Sequence, residues 1–95
     1  MLTSKQRATL RSMANELMPI YQIGKGGLNE NLIKGVDEAL AARELVKITI
    51  LETADVTAKE ALQYISERTG AEQVQSIGRK LVLYRRSDDN PRIEL

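Results

Sequence analysis

The sequence predicts an α/β protein that forms a single compact domain, with helices packed on a four-stranded mixed sheet. Its 95 residues suffice for one domain with one modest hydrophobic core. Helix-like and strand-like hydrophobic periods alternate along the chain in the order α-β-α-β-α-β-β. Strands that are separated by helices need crossover connections, whereas the last two strands can form an antiparallel hairpin.

The first predicted elements are a helix over residues 3–17 and a short strand over residues 20–23. Thr3 and Gln6 have the spacing of a capping box, which favours a helix start at this point. Pro19 ends the helix before the strand begins. The predicted buried stripe of the helix consists of Leu10, Met13, Ala14 and Leu17.

A second helix is predicted from Asn29, a plausible N-cap, to Arg43, and Gly35 is the one residue inside it that disfavours a helix. Residues 45–50 then show a period of two, which predicts a half-buried strand. Its two faces are Val46, Ile48 and Ile50 on one side and Lys47 and Thr49 on the other.

A third helix is predicted after Thr57, which forms a second capping box with Glu60, and it ends at Gly70. Its apolar stripe is Ala58, Ala61, Leu62 and Ile65. A hairpin follows, with strands over residues 72–77 and 80–85 and a tight turn at Gly78-Arg79. We therefore expect a domain of residues 1–86 and a flexible polar tail of residues 87–95.

Composition excludes several classes of function. The chain has no Cys and no His, which removes disulfides, thiolate and imidazole metal sites, and nucleophilic catalysis that depends on either residue. A catalytic site would need Asp, Glu, Lys, Ser or Tyr alone. We expect no enzyme activity, no metal and no cofactor. The chain has neither a long apolar run nor the apolar core of a signal peptide, so we expect a soluble cytoplasmic protein without membrane contact.

The segment Gly24-Lys25-Gly26-Gly27, between a predicted strand and a predicted helix, has the composition of a phosphate-binding loop. A Walker A loop is excluded because the lysine comes too early, and the dinucleotide motif GxGxxG is incomplete because residue 29 is Asn. Two interpretations remain about equally favoured: a GxxG loop that holds an RNA backbone, and a simple tight turn.

Other cations could extend such a site, although the formal net charge is only +1. Arg7 and Arg11 share one stripe of the first helix, where they could follow consecutive phosphates or simply face solvent. Lys34 lies one turn from the loop but is also spaced to pair with Glu30. Arg79 and Lys80 belong to the hairpin turn.

The aromatic residues argue against a base-stacking surface. Tyr21, Tyr64 and Tyr84 are the only aromatic side chains of the chain. Sheets that recognise RNA by stacking present several aromatic rings. We therefore expect these tyrosines to be core or edge residues, and any RNA binding to depend on backbone and shape.

Several segments together resemble the CRM domain, named for chloroplast RNA splicing and ribosome maturation. The resemblance covers essentially residues 1–86 and is strongest to the stand-alone bacterial YhbY-like proteins. It is carried by Leu2-Thr3 with Leu10, the loop Ile23–Leu28, the strand Leu45–Ile48 and the ending Ile77–Arg85.

The resemblance implies a fold similar to the C-terminal domain of bacterial initiation factor three, and RNA binding through the GxxG loop. It also implies that the protein engages ribosomal RNA in precursors of the large (50S) subunit. We expect a monomer, and because the net charge is only +1, we expect a shaped site on the RNA or a ribosomal protein to assist binding. The residues that it marks for RNA are Gly24, Lys25, Gly26 and Gly27, with Arg79 and Lys80 as further contacts. A nucleotide-binding small domain and a protein-interaction module without RNA contact are the alternatives.

Overall fold

Three helices and four strands follow one another in the predicted order α-β-α-β-α-β-β. The structure is a computed structural model that describes residues 2–88 and 91–95. The helices are α1 (Ser4–Ala14), α2 (Glu30–Arg43) and α3 (Ala58–Thr69), and the strands are β1 (Tyr21–Ile23), β2 (Leu45–Ile50), β3 (Glu72–Ile77) and β4 (Lys80–Tyr84).

The strands form one mixed sheet in the order β1-β2-β4-β3, which confirms the predicted sheet. β1 is parallel to β2, and β4 is antiparallel to both β2 and β3. The carboxyl ends of β1, β2 and β3 therefore lie at the same end of the sheet as the start of β4. We call this the loop end, because the segment 24–27 follows β1 there.

Helices cover both faces of the sheet. The larger core lies under α2 and α3 and includes Val46, Ile48 and Ile50, as the period of two predicts. The smaller core lies under α1 and includes Leu45, which is 5% exposed. The sequence predicts that only one face of β2 is buried. In the structure α1 also covers the start of the other face, so β2 is more than half-buried.

Helix α1 ends three residues earlier than predicted. After Ala14 the backbone forms a turn, in which the amide of Leu17 donates to the carbonyl of Ala14, three residues earlier, at 3.1 Å. The Lys47 ammonium group donates to the carbonyls of Ala14 and Leu17 at 3.1 and 3.4 Å, so it caps the end of the helix. The predicted burial of Met13 and Leu17 is wrong: their exposed fractions are 40% and 36%.

Gly35 has a packing role in α2. A Cβ atom at this position would lie 2.5 Å from the Tyr21 hydroxyl oxygen and 2.8 Å from the adjacent ring carbon. The glycine therefore allows the half-buried ring of β1 to lie directly against the helix.

Glu44, which joins α2 to β2, is fully buried and has a positive φ of 67°. Its Oε2 accepts the amide of Ser87 at 2.8 Å, and its Oε1 accepts the amides of Ile93, at 2.8 Å, and of Arg92. Burial alone would raise the pKa of Glu44, but these three donors and the charge of Arg86 outweigh it, so the pKa is lowered.

The C-terminal segment is therefore held to the domain by backbone contacts with Glu44, and Ile93 also packs on the smaller core. Flexibility of the tail 87–95 stays a prediction. Asp89 and Asn90, which belong to that prediction, lie outside the described residues.

Arg85 joins three elements just after β4. Its Nη1 donates to Asp37 Oδ1 at 2.5 Å and to the Thr69 carbonyl at 2.7 Å, and its Nη2 donates to the Asp37 carbonyl at 3.0 Å. One guanidinium group thus connects α2, the end of α3 and the sheet.

Candidate nucleic-acid interface

The glycine segment forms a tight turn directly after β1. The Gly27 amide donates to the Gly24 carbonyl at 2.9 Å, and Gly27 has a φ of +65° that favours glycine. Lys25 and Gly26, at the tip, are exposed, and their amide groups have no acceptor in the described part of the chain. The turn therefore offers two amide donors and one ammonium group to an anion.

The start of α2 adds less to this site than the sequence suggested. Asn29 is the predicted N-cap, and its side-chain oxygen already accepts the Leu32 amide at 2.9 Å. Glu30 places a carboxylate in the first helical turn, where it competes with an external anion for the positive end of the helix. Anion binding here would depend mainly on the turn itself.

The hairpin turn lies at the same end of the sheet. The Leu51 amide bonds to the Ile23 carbonyl at 2.8 Å, and the Ile50 amide bonds to the Arg79 carbonyl at 2.7 Å, so the glycine turn and Arg79 flank the end of β2. Adjacent strands lie about 4.8 Å apart, which places the two turns roughly 10 Å from each other. The structure therefore brings Lys25, Arg79 and Lys80 to one end of the sheet.

Acidic charge is also present at the loop end. Glu52 lies 3.9 Å from the Arg79 guanidinium group, and because both side chains are more than half exposed, the pair is weak. A Cβ atom on Gly24 would lie 3.4 Å from Leu51 and 3.9 Å from Thr53. The sequence analysis assigned no role to residues 51–53, although the parallel crossover from β1 to β2 predicts that they flank the glycine turn.

The remaining predicted cations lie elsewhere. Lys34 is on the exposed side of α2, one turn from the glycine segment, and forms no ion pair within 4 Å in the part of the chain that the structure describes. Arg7 donates to the Gln73 carbonyl in β3 and is half-buried, while Arg11, also half-buried, lies one turn further along α1.

Arg7 is distant from the glycine turn. Gln73 is in register with Leu83, and Leu83 with Val46, near the start of β2. Four residues along the sheet and three strand spacings across it separate this position from the end of β1, which amounts to roughly 20 Å. The structure thus gives Arg7 a hydrogen bond to β3 and does not bring it to the loop end.

The aromatic rings are placed as predicted. Tyr84 is 7% exposed, Tyr21 packs against α2, and the half-buried Tyr64 carries the Arg68 guanidinium group 3.7 Å above its ring. No group of His, Cys, Asp and Glu among the described residues could hold a metal ion. Within the same residues, every helix is too short or too polar to cross a membrane.

Comparisons with known proteins identify relatives along the whole chain. The chain is 44% identical over 95 residues to a Bacillus subtilis protein named "Probable RNA-binding protein YqeI", which covers 100% of this chain and 99% of that protein. It is 35% identical over 88 residues to a Haemophilus influenzae protein named "RNA-binding protein". This alignment covers 93% of this chain and 89% of the relative.

A solved structure supports the fold. The solution structure of the hypothetical protein SAV1595 from Staphylococcus aureus matches with a TM-score of 0.83 and 49% identity, over 100% of this chain and 99% of that one. The likeness to initiation factor three stays a prediction.

The model of the CRS1 / YhbY (CRM) domain matches residues 2–85. This family consists of RNA-binding proteins and is not known for enzymes, in agreement with the predicted lack of catalysis. Because the match spans nearly the whole chain, the protein belongs to the CRS1/YhbY (CRM) domain family.

Proposed function

We propose that this protein binds ribosomal RNA through the loop end of its sheet and acts during assembly of the large (50S) ribosomal subunit. The observation that carries the proposal is the convergence of the glycine turn with the hairpin cations Arg79 and Lys80 at one end of the sheet. The names of the relatives, which describe RNA-binding proteins, support the choice of RNA as the ligand.

In this proposal the glycine turn holds one phosphate. The amides of Lys25 and Gly26 donate to its oxygens, the Lys25 ammonium group supplies a full charge, and the absence of side chains at positions 24, 26 and 27 allows close approach. Arg79 and Lys80 hold a neighbouring phosphate. Lys34 extends this footprint along α2, and the stripe of Arg7 and Arg11 is a second, weaker contact with the RNA.

The low net charge of the protein bears on how it gains affinity for RNA. A net charge of +1 gives little attraction to RNA in general, so affinity must come from the shape of a folded site. We propose a cytoplasmic monomer that meets this shape in pre-50S particles, where a neighbouring ribosomal protein could strengthen the contact. No small-molecule substrate enters this scheme.

Separate Lys25→Asp and Gly26→Asp variants test the proposal. Each places a carboxylate at the tip of the turn, where phosphate would bind, and neither residue is buried or has a positive φ, so folding should be unaffected. We expect at least a tenfold loss of affinity for ribosomal RNA fragments and a loss of cosedimentation with pre-50S particles. For Lys25→Asp, the slope of the logarithm of affinity against the logarithm of salt concentration should also become shallower by about 1, as expected for the loss of one phosphate contact.

Lys5→Asp is the matched control for Lys25→Asp. It changes the net charge by the same amount, but Lys5 is an exposed residue in the first turn of α1, where an acid is compatible with the helix. Equal losses in the two lysine variants would show that only net charge matters and would refute the site. Saturable binding of ATP, GTP or NAD at low salt would instead favour a nucleotide-binding domain.

A further inference from the structure

An apolar groove lies at the opposite end of the sheet from the glycine turn. It has a volume of about 340 Å³ and is bounded by the end of α1, the linker to β1, the start of β2 and the C-terminal segment. Its apolar wall includes Met18, whose side chain is 80% exposed, and the partly exposed Met13 and Leu17. Clustered exposed apolar side chains of this kind mark sites of interaction with other molecules.

The groove runs along the start of β2, on the edge where no strand of the described residues pairs with it. β1 pairs with β2 only from Tyr21, opposite Ile48, and the last bond before it joins the Ile20 amide to the Lys47 carbonyl. Since alternate residues of a strand direct their backbone groups to the same side, the amide and carbonyl of Leu45 also point to this edge. No strand in the described part of the chain pairs with β2 there.

The charged side chains around the groove are cationic. Arg43, Lys47 and Arg92 line it, and among residues 2–88 and 91–95 no acidic side chain does so. Arg43 is exposed in the last turn of α2, whereas Lys47 is half-buried and also caps α1. The groove therefore combines an apolar wall, unpaired strand groups and positive charge.

We propose that this groove binds an extended peptide segment of a partner protein in which apolar and acidic residues alternate. The peptide backbone would pair with Leu45 and extend the sheet beyond the start of β1, as in other cases of strand addition. Its apolar side chains would pack on Met13, Leu17 and Met18, and its acidic side chains would face Arg43.

The shape and chemistry of the groove favour a peptide over RNA. Methionine and leucine side chains offer no ring on which a base can stack, and the backbone groups of Leu45, which no strand of the described residues pairs on this side, match a peptide backbone. The groove is separated from the loop end by the length of β2, so this inference does not depend on the proposed RNA site.

The test uses a fluorescein-labelled peptide of about seven residues in which isoleucine alternates with glutamate. The control peptide has lysine in place of each glutamate. We expect saturable binding that is at least tenfold tighter for the acidic peptide. In spectra of ¹⁵N-labelled full-length protein, the acidic peptide should shift the amide resonances of Leu45 and Lys47 and leave those of Lys25 and Gly26 unchanged.

Variants of one exposed residue complete the experiment. Met18→Asp should weaken binding of the acidic peptide at least tenfold, whereas Met18→Leu should bind within twofold of the unchanged protein. Met18→Asp should leave ribosomal RNA affinity unchanged, and Lys25→Asp should leave peptide affinity unchanged. Because each variant is measured with both ligands, failure of the peptide site can be distinguished from failure of the proposed RNA site.

Three results would overturn the inference. Equal affinity for the acidic and lysine peptides would exclude charge recognition. Tighter binding of a uridine oligonucleotide, with the same shifts at Leu45 and Lys47, would make the groove an RNA site. Concentration-dependent dimerisation of the free protein that Met18→Asp abolishes would identify a second copy of the chain as the occupant.

Discussion

Replacing Glu44 with glutamine should destabilise the fold by about 2 to 3 kcal/mol. The buried carboxylate accepts three backbone amides, two on Oε1 and one, from Ser87, on Oε2. The side-chain oxygen of glutamine can still accept the amides of Arg92 and Ile93. Its NH₂ group would then face the Ser87 amide, so two donors would meet without an acceptor. Loss of a hydrogen bond to a charged group, with a buried donor left unsatisfied, typically costs about 1.5 to 3 kcal/mol.

The carboxylate also holds an unfavourable backbone conformation. Glu44 has φ 67° and ψ −41°, a region that residues with a side chain rarely adopt. Such conformations cost about 1 to 3 kcal/mol and persist where the surroundings fix them. Glu44→Gly separates the two effects, since it relaxes the backbone but removes all three acceptor contacts. We expect Glu44→Gly to be destabilised as well.

Thermal and denaturant unfolding at pH 7 measure this effect. For a chain of this length, 2 to 3 kcal/mol corresponds to a fall in Tm of about 10 to 20 °C. Unfolding midpoints of Glu44→Gln and the unchanged protein that agree within error would refute the assigned role of the carboxylate. A stabilised Glu44→Gly variant would show that backbone strain, rather than the three contacts, dominates at this position.

The pH dependence of the same variant has a defined sign. The pKa of Glu44 is lowered in the folded state, so its stabilisation is complete above the unfolded value near 4.5 and is lost as pH falls through the folded pKa. The difference in free energy of unfolding between the unchanged protein and Glu44→Gln should therefore shrink below about pH 4.5. The pKa of Glu60 is also lowered, by its bonds with Thr57, but this group is common to both proteins and cancels in the difference.

Two further substitutions, one in a packing contact and one in a hydrogen-bonded contact, are tested by denaturant unfolding. Gly35→Ala should destabilise by about 1 to 3 kcal/mol because its methyl group would overlap the Tyr21 ring, although alanine is the better helix former. In a Tyr21→Ala background the same change should stabilise, and a loss in both backgrounds would contradict the proposed clash. Arg85→Lys should cost about 1 to 2 kcal/mol, because one ammonium group cannot replace the fork that holds Asp37 and the Thr69 carbonyl. An unchanged midpoint would show that the fork is not needed.

Local signals in the sequence predicted most of the fold. Both capping boxes form as expected, with Thr3 and Thr57 accepting amides at the starts of α1 and α3. The period of two in β2 assigns its residues correctly to the two faces of the sheet. These features succeed because a cap or an alternation depends on neighbours a few residues away.

Contacts between distant residues account for what the sequence did not predict. The end of α1 is capped by Lys47, which lies 33 residues from Ala14, and the partners of Glu44 lie 43 to 49 residues away from it. Neither contact has a local signature, since a lone lysine in a strand and a glutamate after a helix ordinarily face solvent. Leu17 lies beyond the early end of α1 and Met13 lies in its last turn, so the apolar groove that both residues line could not be predicted from the helical period.

The candidate RNA site shows the same division between local and long-range information. The glycine turn is visible in the sequence, but its neighbours depend on strand pairing. Because β1 is parallel to β2 and β4 is antiparallel to it, Arg79 and Lys80 lie at the same end of the sheet as Lys25. The same pairing brings Glu52 to the loop end, where its charge opposes the cations. Local charge at this end is therefore mixed, like the total, and the exposed amides of the turn distinguish it from an ordinary surface. A ligand that uses those amides must carry acceptor oxygens in a compact group, which is the chemistry of a phosphate.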